Sequence, residues 1–488
     1  MAYLKQLLKN CNYMCLQGSI ERKVTDICYD SSKVKKGSMF VCLPGQHRDG
    51  HDYIPEAVKR GAAICLVQKG VVVPEGVTVI RVQNTRATLA VIAADYYGRP
   101  AKKLCIIGIT GTKGKTSTAY MVWHILREAG YRVGLIGTLG LQMEETCTPF
   151  YNTTPESLVI QHCLRKMVDE GYEYCVMEVS SQGLKNHRVD EIVFDIGVFT
   201  NISPDHIGPG EHADFAEYLR CKSKIFEKSK IGIVNADDRF ARKAALKSGS
   251  RIRSYGIYAH ADYQALDLHH TKFTECLGMN YHLNGVAVSD MEIGMPGIYN
   301  VYNSLAAIAV CHTIGMQVDA FHKTLRGVRI RGRIEEIKMP GEYRLLIDYA
   351  HNAVSLENLL STLRFYEPGR IVTLFGCGGN RSKLRRFQMG EVAGRLSDFT
   401  ILTSDNPRFE NPEDILTDIE TGMKKTQGSY IRITDRKEAI AYAIRNAKKD
   451  DLIVLAGKGH EDYQEINGKR YPMNERDIID EIVRQYHS

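Results

Sequence analysis

One stretch of this chain combines glycines, lysines and hydroxyl side chains at a spacing that suits triphosphate binding. An apolar run leads into Gly-Thr-Lys-Gly-Lys-Thr-Ser, and a helical pattern follows directly. Backbone N–H groups at a helix start and a lysine attract phosphate oxygens, and a threonine hydroxyl can hold Mg²⁺. The sequence therefore predicts a nucleoside triphosphate site formed by Gly111, Thr112, Lys113, Gly114, Lys115, Thr116 and Ser117.

The spacing of this loop departs from the common phosphate-loop pattern. Ile109 occupies the place of the first glycine in G-x-x-x-x-G-K-[ST], and the preceding glycine is Gly108. A plain glycine turn before a helix is the alternative interpretation. The lysine-threonine pair, with a strand before it and a helix after it, favours the nucleotide site.

Side chains that can bind metal follow two other apolar runs. Glu178 ends one such run, and His206 follows another in Asn-Ile-Ser-Pro-Asp-His. Open α/β sheets place their chemistry at the carboxyl ends of strands, where a carboxylate and an imidazole can hold Mg²⁺ between ATP and a second substrate. Taken alone, Glu178 could be a helix N-terminal charge and His206 a loop histidine. Their combination with the phosphate loop favours a metal site.

Composition narrows the class of protein. The chain has 488 residues, 44% hydrophobic and 25% charged, which is typical of a globular protein of about three domains. The sequence has no long apolar run and its start resembles a first amphipathic helix, so we expect a cytoplasmic protein without a membrane span. A net charge of +7 suits anionic small molecules and gives no case for nucleic acid. Thirteen scattered cysteines without a C-x-x-C pair indicate reduced thiols, and we expect a monomer.

The positions of the apolar runs predict an α/β protein of three domains. Residues 1–98 form a small N-terminal α/β domain, residues 99–330 a central P-loop domain with a parallel sheet, and residues 331–488 a C-terminal Rossmann-like α/β domain. The predicted strands are 38–43, 62–67, 77–82, 104–109, 133–136, 174–179, 196–200, 231–234, 345–348, 371–375, 399–403 and 452–456. The predicted helices include 53–59, 355–366, 387–397, 412–424 and 436–446.

Ten motifs in this order resemble the Mur ligases. They are Gly108-x-x-Gly-Thr-x-Gly-Lys-Thr, Asn152-Thr-Thr-Pro, Met177-Glu-Val-Ser-Ser, Thr200-Asn-Ile-x-x-Asp-His, Asn235-Ala-Asp-Asp, Tyr299-Asn-Val-Tyr-Asn, Asp348-Tyr-Ala-His, Gly376-Cys-Gly-Gly, Asp405-Asn-Pro-Arg and Gly457-Lys-Gly-His-Glu. The resemblance covers all three segments and is greatest to the branch that adds the third residue to UDP-N-acetylmuramoyl-L-alanyl-D-glutamate. It implies an ATP-dependent amide ligase of peptidoglycan synthesis that works through an acyl phosphate.

The resemblance also implies roles for residues near the phosphates. It makes Lys115, Glu178, His206 and Lys222 the catalytic set, with Lys222 carbamylated by CO₂. Lys224 lies two residues away, and the spacing to Ile225-Phe226 favours Lys222. The implied Mg²⁺ ligands are Thr116, Glu178, His206 and the carbamate. Further nucleotide contacts are Asn303, Arg333 and Asp348, and His351 is expected near them.

Two more sets of residues follow from the resemblance. The UDP-muramoyl-dipeptide is expected at Ser31, Gln46, His47, Arg48, Asn152, Thr153, Thr154, Ser180, Asn186 and Arg188, although many relatives have glutamine in place of Asn186. The acceptor amino acid is expected at Arg381, Asp405, Asn406, Pro407, Arg408, Gly457 and Glu461. Asn380 and Ser382 replace two carboxylates of the family pattern in the loop that contains Arg381.

The acceptor predicted from these residues is meso-diaminopimelate. In the family, Asp-Asn-Pro-Arg accompanies diaminopimelate, and relatives that add lysine lack the arginine. A guanidinium can hold the distal carboxylate of diaminopimelate by two parallel hydrogen bonds. Lysine has no carboxylate at that end. The alternative is that Asp405-Asn-Pro is only a turn with Arg408 in solvent.

Other functions stay open at this stage. The same ligase could add L-lysine or another amino acid. Folylpolyglutamate synthase shares the fold and the phosphate loop, although the N-terminal segment and Asp-Asn-Pro-Arg argue against it. A nucleotide-binding scaffold that has lost catalysis is a third possibility, for which Asn380 and Ser382 are the only hint.

Overall fold

The computed structural model describes residues 2–45, 48–208 and 210–487 of the chain. The chain forms two compact units. The first comprises Met1–Gln264, Asn284–Ala287 and Tyr302–Ala320, and the second comprises Ala265–Leu283, Val288–Val301 and Phe321–Ser488. No helix in the described part of the chain has the length and apolar character to cross a membrane.

The first unit begins with a five-stranded sheet. Its elements are β1 (Ala2–Tyr3), α1 (Leu4–Leu7), β2 (Tyr13–Gln17), β3 (Lys23–Val24), β4 (Ile27–Cys28), β5 (Met39–Val41), α2 (Ile54–Lys59), β6 (Ile64–Val67), β7 (Thr78–Val82) and α3 (Thr85–Tyr96). The strand order is β2-β7-β6-β5-β4, with β4 to β7 parallel and β2 antiparallel at the edge. The three predicted strands and the predicted helix of this region are confirmed. The expected N-terminal helix is only four residues long, because Ala2 and Tyr3 pair with β3 instead.

A second, mostly parallel sheet forms the rest of the first unit. Its elements are β8 (Cys105–Thr110), α4 (Lys115–Glu128), β9 (Val133–Gly137), β10 (Gly140–Met143), β11 (Thr146–Thr148), α5 (Ser157–Asp169), β12 (Tyr174–Glu178), α6 (Ser181–Lys185), β13 (Phe194–Phe199), α7 (Phe215–Glu227), β14 (Ser229–Asn235), α8 (Arg239–Lys247), β15 (Arg251–Gly256) and the start of β16 (Tyr263–Lys272). The strands follow the order β11-β10-β9-β12-β8-β13-β14-β15, and the run from β9 to β15 is parallel.

The position of β8 in this sheet determines what can meet the phosphate loop. Strand β8 lies between β12 and β13, with Ile109 opposite Glu178 and Thr110 opposite Phe199. The carboxyl ends of three parallel strands therefore converge at one edge. Nearly every residue of these strands is buried, because helices cover both faces of a parallel sheet.

The second unit is built on a six-stranded sheet. The unit also contains the rest of β16, most of β17 (Leu277–Gly285), β18 (Ser289–Ile293) and the start of α9 (Ile298–Thr313), whereas α9 from Tyr302 onward belongs to the first unit. Its other elements are α10 (His322–Gly327), β19 (Glu335–Ile337), β20 (Arg344–Asp348), α11 (Ala353–Arg364), β21 (Arg370–Phe375), α12 (Lys383–Leu396), β22 (Phe399–Leu402), α13 (Pro412–Met423), β23 (Tyr430–Arg432), α14 (Arg436–Arg445), β24 (Asp451–Ala456), β25 (Tyr463–Ile466), β26 (Lys469–Pro472) and α15 (Glu475–His487). The order is β19-β20-β24-β21-β22-β23, parallel except for β19, and β25 and β26 form a separate hairpin.

Two apolar cores cover the faces of this sheet. One contains residues of α11, α12 and α13, and the other contains residues of α14 and α15. The predicted strands and helices of this region are confirmed to within a few residues, and so is the α/β class with its parallel central sheet. The domain boundaries at residues 98 and 330 stay a prediction.

Candidate active site

The loop between β8 and α4 adopts backbone angles that favour glycine at two positions. Gly111 has φ +152° and Gly114 has φ +84°. A β-carbon at Gly111 would lie 1.9 Å from Thr200 Oγ1, and one at Gly114 would lie 2.4 Å from Asn303 Oδ1. Larger residues would therefore displace the neighbouring side chains as well as strain the backbone. The loop ends where α4 begins at Lys115, and the N–H groups in the first turn of a helix attract anions.

Two lysines meet at one carbonyl oxygen of this loop. Lys115 Nζ donates to the Gly111 oxygen at 2.9 Å and to the Thr112 oxygen at 3.1 Å, and Lys222 Nζ donates to the same Gly111 oxygen at 2.7 Å. Lys222 is 1% exposed and lies 4.8 Å from the Tyr218 ring centre. Burial and, secondly, the charge of Lys115 hold the pKa of Lys222 well below its ordinary value. A neutral amine can react with CO₂, as the predicted carbamylation requires.

Glu178 lies at the carboxyl end of β12, fully buried beside the same loop. Its Oε2 accepts hydrogen bonds from Thr116 Oγ1 at 2.9 Å and Thr138 Oγ1 at 3.1 Å, and its Oε1 accepts one from the Thr138 N–H at 2.8 Å. The structure therefore brings together two of the predicted metal ligands, Thr116 and Glu178. Hydroxyl and carboxylate oxygens are the donors that Mg²⁺ prefers, so these residues fit the ion.

Residues after β13 hold the phosphate loop in place. Asn201 accepts from the Lys113 N–H through Oδ1 at 2.9 Å and donates from Nδ2 to the Lys113 oxygen at 3.0 Å. Thr200 Oγ1 donates to that oxygen at 2.7 Å, and Tyr218 OH lies 3.1 Å from Thr112 Oγ1. The sequence interpretation did not assign Thr200, Asn201 or Tyr218 to the site. Their position just after a strand of the sheet is the signal that could have identified the first two.

His206 stands apart from this buried group. Its side chain is 51% exposed, its φ is +54°, and its Nδ1 lies 3.1 Å from Glu211 Oε1. Its ring centre is 6.2 Å from that of Tyr218, which links it loosely to the residues around the loop. Its role as a metal ligand stays a prediction.

The residues predicted to bind the muramoyl peptide surround one carboxylate. Glu156 Oε1 lies 2.9 Å from Arg188 Nη2 and 2.7 Å from Arg86 Nη1, and Arg188 Nη1 donates to the Thr154 oxygen at 2.9 Å. Two guanidinium groups share a single carboxylate, so the cluster carries an excess positive charge that suits an anionic ligand. Arg86 and Glu156 were missed because they belong to predicted segments far apart in the sequence.

Several predicted substrate residues have internal roles in the fold. Thr154 is fully buried, and its hydroxyl donates to the Glu178 oxygen and accepts from the Ser180 N–H, both at 2.9 Å. Thr153 Oγ1 lies 3.1 Å from Thr138 Oγ1, and Ser180 caps α6 by accepting from the Gly183 N–H. These side chains therefore connect the phosphate loop region to the start of α6.

The remaining predicted substrate residues lie in varied surroundings. Ser31 donates to Glu56 Oε2 at 2.8 Å, and Asn186 donates to Gln182 Oε1 at 3.0 Å. Arg48 and Asn152 are exposed. Gln46 and His47 lie outside the described residues.

In the second unit, Arg333 lies beside an aromatic ring, and Asp348 is held by backbone N–H groups. The Arg333 guanidinium is 5.1 Å from the Tyr349 ring centre, and the ring centres of Tyr349 and His460 are 4.8 Å apart. Burial and the charge of Arg333 lower the pKa of His460 to about 4, so this imidazole is neutral at pH 7. Asp348 accepts from the Ile334 and Ala350 N–H groups, both at 2.8 Å. Asn303, the third predicted nucleotide contact, belongs to the first unit.

The predicted acceptor residues form a dense network after β22 and β24. Asn406 Nδ2 donates to Glu461 Oε2 at 2.9 Å, and a β-carbon at Gly457 would lie 2.9 Å from Asp405 Oδ2. Asp405 and Asn406 are buried, whereas Arg381 is exposed. The structure thus gathers most of the set that the resemblance implies.

Arg408 is bound by the hairpin β25–β26. Its φ is +52°, its N–H donates to the Glu465 oxygen at 2.9 Å, and its own oxygen accepts from the Asn467 N–H at 2.6 Å. The guanidinium donates from Nε to Glu465 Oε2 at 3.2 Å and from Nη1 to the Gly379 oxygen at 2.7 Å. Nη2 has no partner in the described part of the chain. Arg408 is therefore fixed by the protein rather than solvated, against the turn-only alternative.

The sequence motifs predicted neither the hairpin β25–β26 nor a role for Lys458 in the site. Lys458 is fully buried and donates to Asn406 Oδ1 at 2.9 Å and Glu461 Oε2 at 3.0 Å. Asn467-Gly468, both with positive φ, is the turn signal that could have revealed the hairpin.

Asn380 and Ser382, which replace two carboxylates of the family pattern, precede α12, and the structure explains only the first replacement. Asn380 has φ +54°, a conformation that asparagine tolerates better than most residues, and its Oδ1 accepts from the Phe409 N–H at 3.2 Å. It therefore helps to order the loop. Ser382 precedes α12 without a side-chain capping bond, and nothing in the structure explains it.

A separate cavity of about 1170 Å³ lies in the second unit. It is lined at the amino ends of β20, β21 and β24 by residues that include Arg344, Gly369 and Asp451. None of the predicted acceptor residues lines it. The chemistry of this unit is therefore expected at the opposite, carboxyl ends of the strands.

Family comparisons cover most of the chain. Residues 23–97 match the Mur ligase family catalytic domain, residues 109–311 the Mur ligase middle domain, and residues 332–459 the Mur ligase glutamate ligase domain.

Comparisons with individual proteins extend over the whole length. The chain is 41% identical to a UDP-N-acetylmuramoyl-L-alanyl-D-glutamate–2,6-diaminopimelate ligase of Caldanaerobacter subterraneus, over 99% of each chain. It is 39% identical to the ligase of the same name from Clostridium perfringens, over 98% of this chain and 99% of that one. A solved structure of a ligase with this name aligns with a TM-score of 0.70 and 26% identity, covering 100% of this chain and 99% of the other.

Proposed function

Because this chain belongs to the Mur ligase family, we propose that it is an ATP-dependent ligase that joins meso-diaminopimelate to UDP-N-acetylmuramoyl-L-alanyl-D-glutamate in peptidoglycan precursor synthesis. The observation that carries the proposal is the 41% identity to a ligase of that name over 99% of both chains. The geometry within each unit supports it as well, since the first unit contains a phosphate loop with two lysines at one carbonyl oxygen and the second contains an arginine held by hydrogen bonds. In this proposal residues 1–98 bind UDP, residues 99–330 bind ATP and residues 331–488 bind the amino acid.

The chemistry begins at a carboxylate, which is a poor electrophile. Transfer of the γ-phosphoryl group of ATP to the D-glutamyl carboxylate gives an acyl phosphate, the amine of the acceptor attacks it, and the tetrahedral intermediate expels phosphate. Positioning and charge stabilisation dominate such transfers. In this role the N–H groups of the loop before α4 and the Lys115 ammonium hold the phosphates.

Thr116 and Glu178 would hold Mg²⁺, with His206 and carbamylated Lys222 as further ligands. The ion supplies positive charge to the phosphoryl oxygens during transfer. Lys222 lies 2.7 Å from the Gly111 oxygen, so its carbamate would stand beside the phosphate loop. Carbamylation would replace a cation with an anion and relieve its repulsion with Lys115.

Recognition of the acceptor would depend on Arg408, Asn406 and Glu461. The free Nη2 of Arg408 can donate to the distal carboxylate of diaminopimelate, and Glu461 can accept from its distal ammonium. Lysine lacks that carboxylate, so it would leave Nη2 of the fixed guanidinium without this partner. A site built to bind a charged group rejects an analogue that lacks it by several kcal/mol, which corresponds to a preference on the order of 10³-fold.

The test is a ligation assay with the purified chain, ATP, Mg²⁺ and the UDP-dipeptide. Product and phosphate are measured with meso-diaminopimelate, with L-lysine, and with a folate plus glutamate as the alternative substrate pair. We expect product with diaminopimelate and a loss of more than about 10²-fold in Lys115→Ala and Thr116→Ala. Equal use of lysine would refute the acceptor assignment, use of folate would favour the polyglutamate ligase, and no turnover with any substrate would favour an inactive scaffold. Cytoplasmic location and a monomeric state stay predictions.

A further inference from the structure

We propose that Lys458 is a positioning residue of the acceptor site: its ammonium orients the Asn406 amide and occupies one oxygen of Glu461, so that the remaining N–H and the remaining oxygen face the amino acid. This inference rests on the proposed function, which it deepens. None of the sequence motifs required this role for the lysine. It follows from the hydrogen bonds that surround the ammonium.

The Lys458 ammonium has three N–H groups and three acceptors. It donates to Asn406 Oδ1 at 2.9 Å, to Glu461 Oε2 at 3.0 Å and to the Tyr463 backbone oxygen. The side chain is 0% exposed. Since an ammonium has no further donor, Lys458 cannot bind the carboxylate of the acceptor directly without giving up one of these bonds. Its effect on the acceptor must pass through its neighbours.

Lys458 and the Glu465 N–H together determine which way the Asn406 amide points. Oδ1 of Asn406 lies 2.9 Å from Lys458 Nζ and 2.9 Å from the Glu465 N–H, and both of these groups can only donate. The amide oxygen must therefore face them, and Nδ2 faces Glu461 Oε2 at 2.9 Å. The second N–H of Nδ2 has no partner among the described residues, so it is available to a carboxylate.

The same ammonium divides the Glu461 carboxylate into an occupied and an available oxygen. Oε2 accepts from both Lys458 and Asn406, whereas Oε1 has, among the described residues, only a long contact of 3.4 Å with Tyr349 OH. Burial opposes ionisation of this carboxyl, but the charge of Lys458 and the two hydrogen bonds outweigh it, so the pKa of Glu461 lies below its usual value. The Glu461 carboxylate is therefore ionised near neutral pH, and its Oε1 can accept a hydrogen bond from an ammonium.

The groups left available match one chemical class. An amide N–H from Asn406, a guanidinium N–H from Arg408 and a carboxylate oxygen from Glu461 suit a carbon that bears both a carboxylate and an ammonium. That is the distal end of a diamino dicarboxylic acid. Lys458 would hold this arrangement ready before the acceptor arrives, which reduces the ordering that binding requires.

The experiment compares Lys458→Met with Lys437→Met, a control that removes an exposed lysine whose partner is Glu481 on α15. We expect Lys458→Met to raise the KM for diaminopimelate at least about 30-fold, as for loss of a charged hydrogen-bond network. The kcat should stay within about threefold, and the KM values for ATP and the UDP-dipeptide within about twofold, since those ligands do not meet this network. Lys437→Met should match the unmodified enzyme.

A pH profile distinguishes positioning from a merely structural effect. Glu461 must be ionised to bind an ammonium, and without Lys458 its pKa should rise. The acidic limb of kcat/KM for diaminopimelate should then move to higher pH by about one unit or more. An unchanged acidic limb with an unchanged KM would refute the proposal, and so would a loss confined to kcat.

Asn406→Asp gives a second variant if Lys458→Met fails to fold. It keeps an oxygen for Lys458 but replaces the N–H that faces Glu461 with another oxygen, so the same rise in KM for diaminopimelate is expected. A normal KM in Asn406→Asp would overturn the proposal. Failure of the unmodified enzyme to use diaminopimelate would instead refute the proposed function, so the two failures are distinguishable.

Discussion

Lys222 and Lys224 lie two residues apart on α7, yet only Lys222 reaches the phosphate loop. Lys222 is 1% exposed and donates to the Gly111 oxygen, whereas Lys224 is half-buried and has no such contact. Burial beside Lys115 favours the neutral amine at Lys222. The structure thus gives a physical reason for choosing the first lysine as the site of carbamylation.

We expect Lys222→Ala to lose more than about 10²-fold in ligation rate, because it removes the group that becomes an anion beside the phosphates. A small carboxylic acid such as acetate should restore part of the activity by occupying the place of the carbamate. Lys224→Ala is the matched control, and we expect it to lower the ligation rate only slightly. The rates are measured by phosphate release with and without acetate, and the reverse pattern would mean that the other lysine is modified.

Arg408 is predicted to select the acceptor. Arg408→Ala should lose most of its kcat/KM for diaminopimelate, on the order of 10³-fold, and change little for lysine, because only diaminopimelate offers a distal carboxylate. Arg364→Ala, which removes an exposed arginine paired with Asp398, serves as the control. Competition between the two amino acids measures the preference directly. If Arg408→Ala kept the preference for diaminopimelate, another residue would have to provide the selection.

At the scale of elements, the strand-to-helix loop depends on its glycines and on the strand beside it. Thr200 and Asn201 follow β13, and their side chains hold Lys113 through three hydrogen bonds. The loop conformation is therefore a property of two neighbouring strands rather than of the glycine motif alone.

We predict that Gly111→Ala abolishes the use of ATP. The residue has φ +152°, and a β-carbon would lie 1.9 Å from Thr200 Oγ1, so the loop must move. Gly130→Ala is the matched control: its φ is also positive, at +90°, but a β-carbon there meets nothing within 4 Å. The control should lose about 1 kcal/mol of stability and keep its activity. Calorimetric titration with ADP checks both variants, and equal affinity would contradict the role given to the loop.

The hairpin β25–β26 shows how a local pattern can be too weak to predict an element. Its strands, Tyr-Gln-Glu-Ile and Lys-Arg-Tyr-Pro, lack a clear alternation, and β26 is exposed throughout. The hairpin is stabilised by contacts with distant residues, since Gln464 donates to the Asp405 oxygen at 2.7 Å and the Arg408 backbone bonds to Glu465 of β25 and to Asn467 of the turn. Periodicity within the hairpin could not reveal these partners.

At the scale of the whole molecule, the thirteen cysteines remain free thiols. Cys15 and Cys147 are exposed, nine others are buried, and Cys11 and Cys105 are intermediate. Burial raises the pKa of Cys11 to about 11 and that of Cys105 to about 12, so both stay protonated near pH 8.

We therefore expect a thiol reagent at pH 8 to modify two cysteines of the native protein rapidly and thirteen after denaturation. Reductant should leave the melting temperature unchanged, because no disulfide contributes to stability. Peptide mapping identifies the modified positions, and Cys15→Ser with Cys147→Ser should remove the fast phase. A fast phase that persists in the double variant would show that the buried thiols are exposed by local opening.

The sequence by itself determined the class of the fold and the place of the phosphate loop. Alternating strands and helices, and glycines followed by Lys115 and Thr116, depend on residues close together in the chain, so local pattern is enough to predict them. The tertiary structure decided which distant side chains meet: Lys222 at the Gly111 oxygen, Thr138 at Glu178, and Lys458 between Asn406 and Glu461. These contacts depend on strand order, because neighbouring strands in a parallel sheet are separated in sequence by helices of variable length.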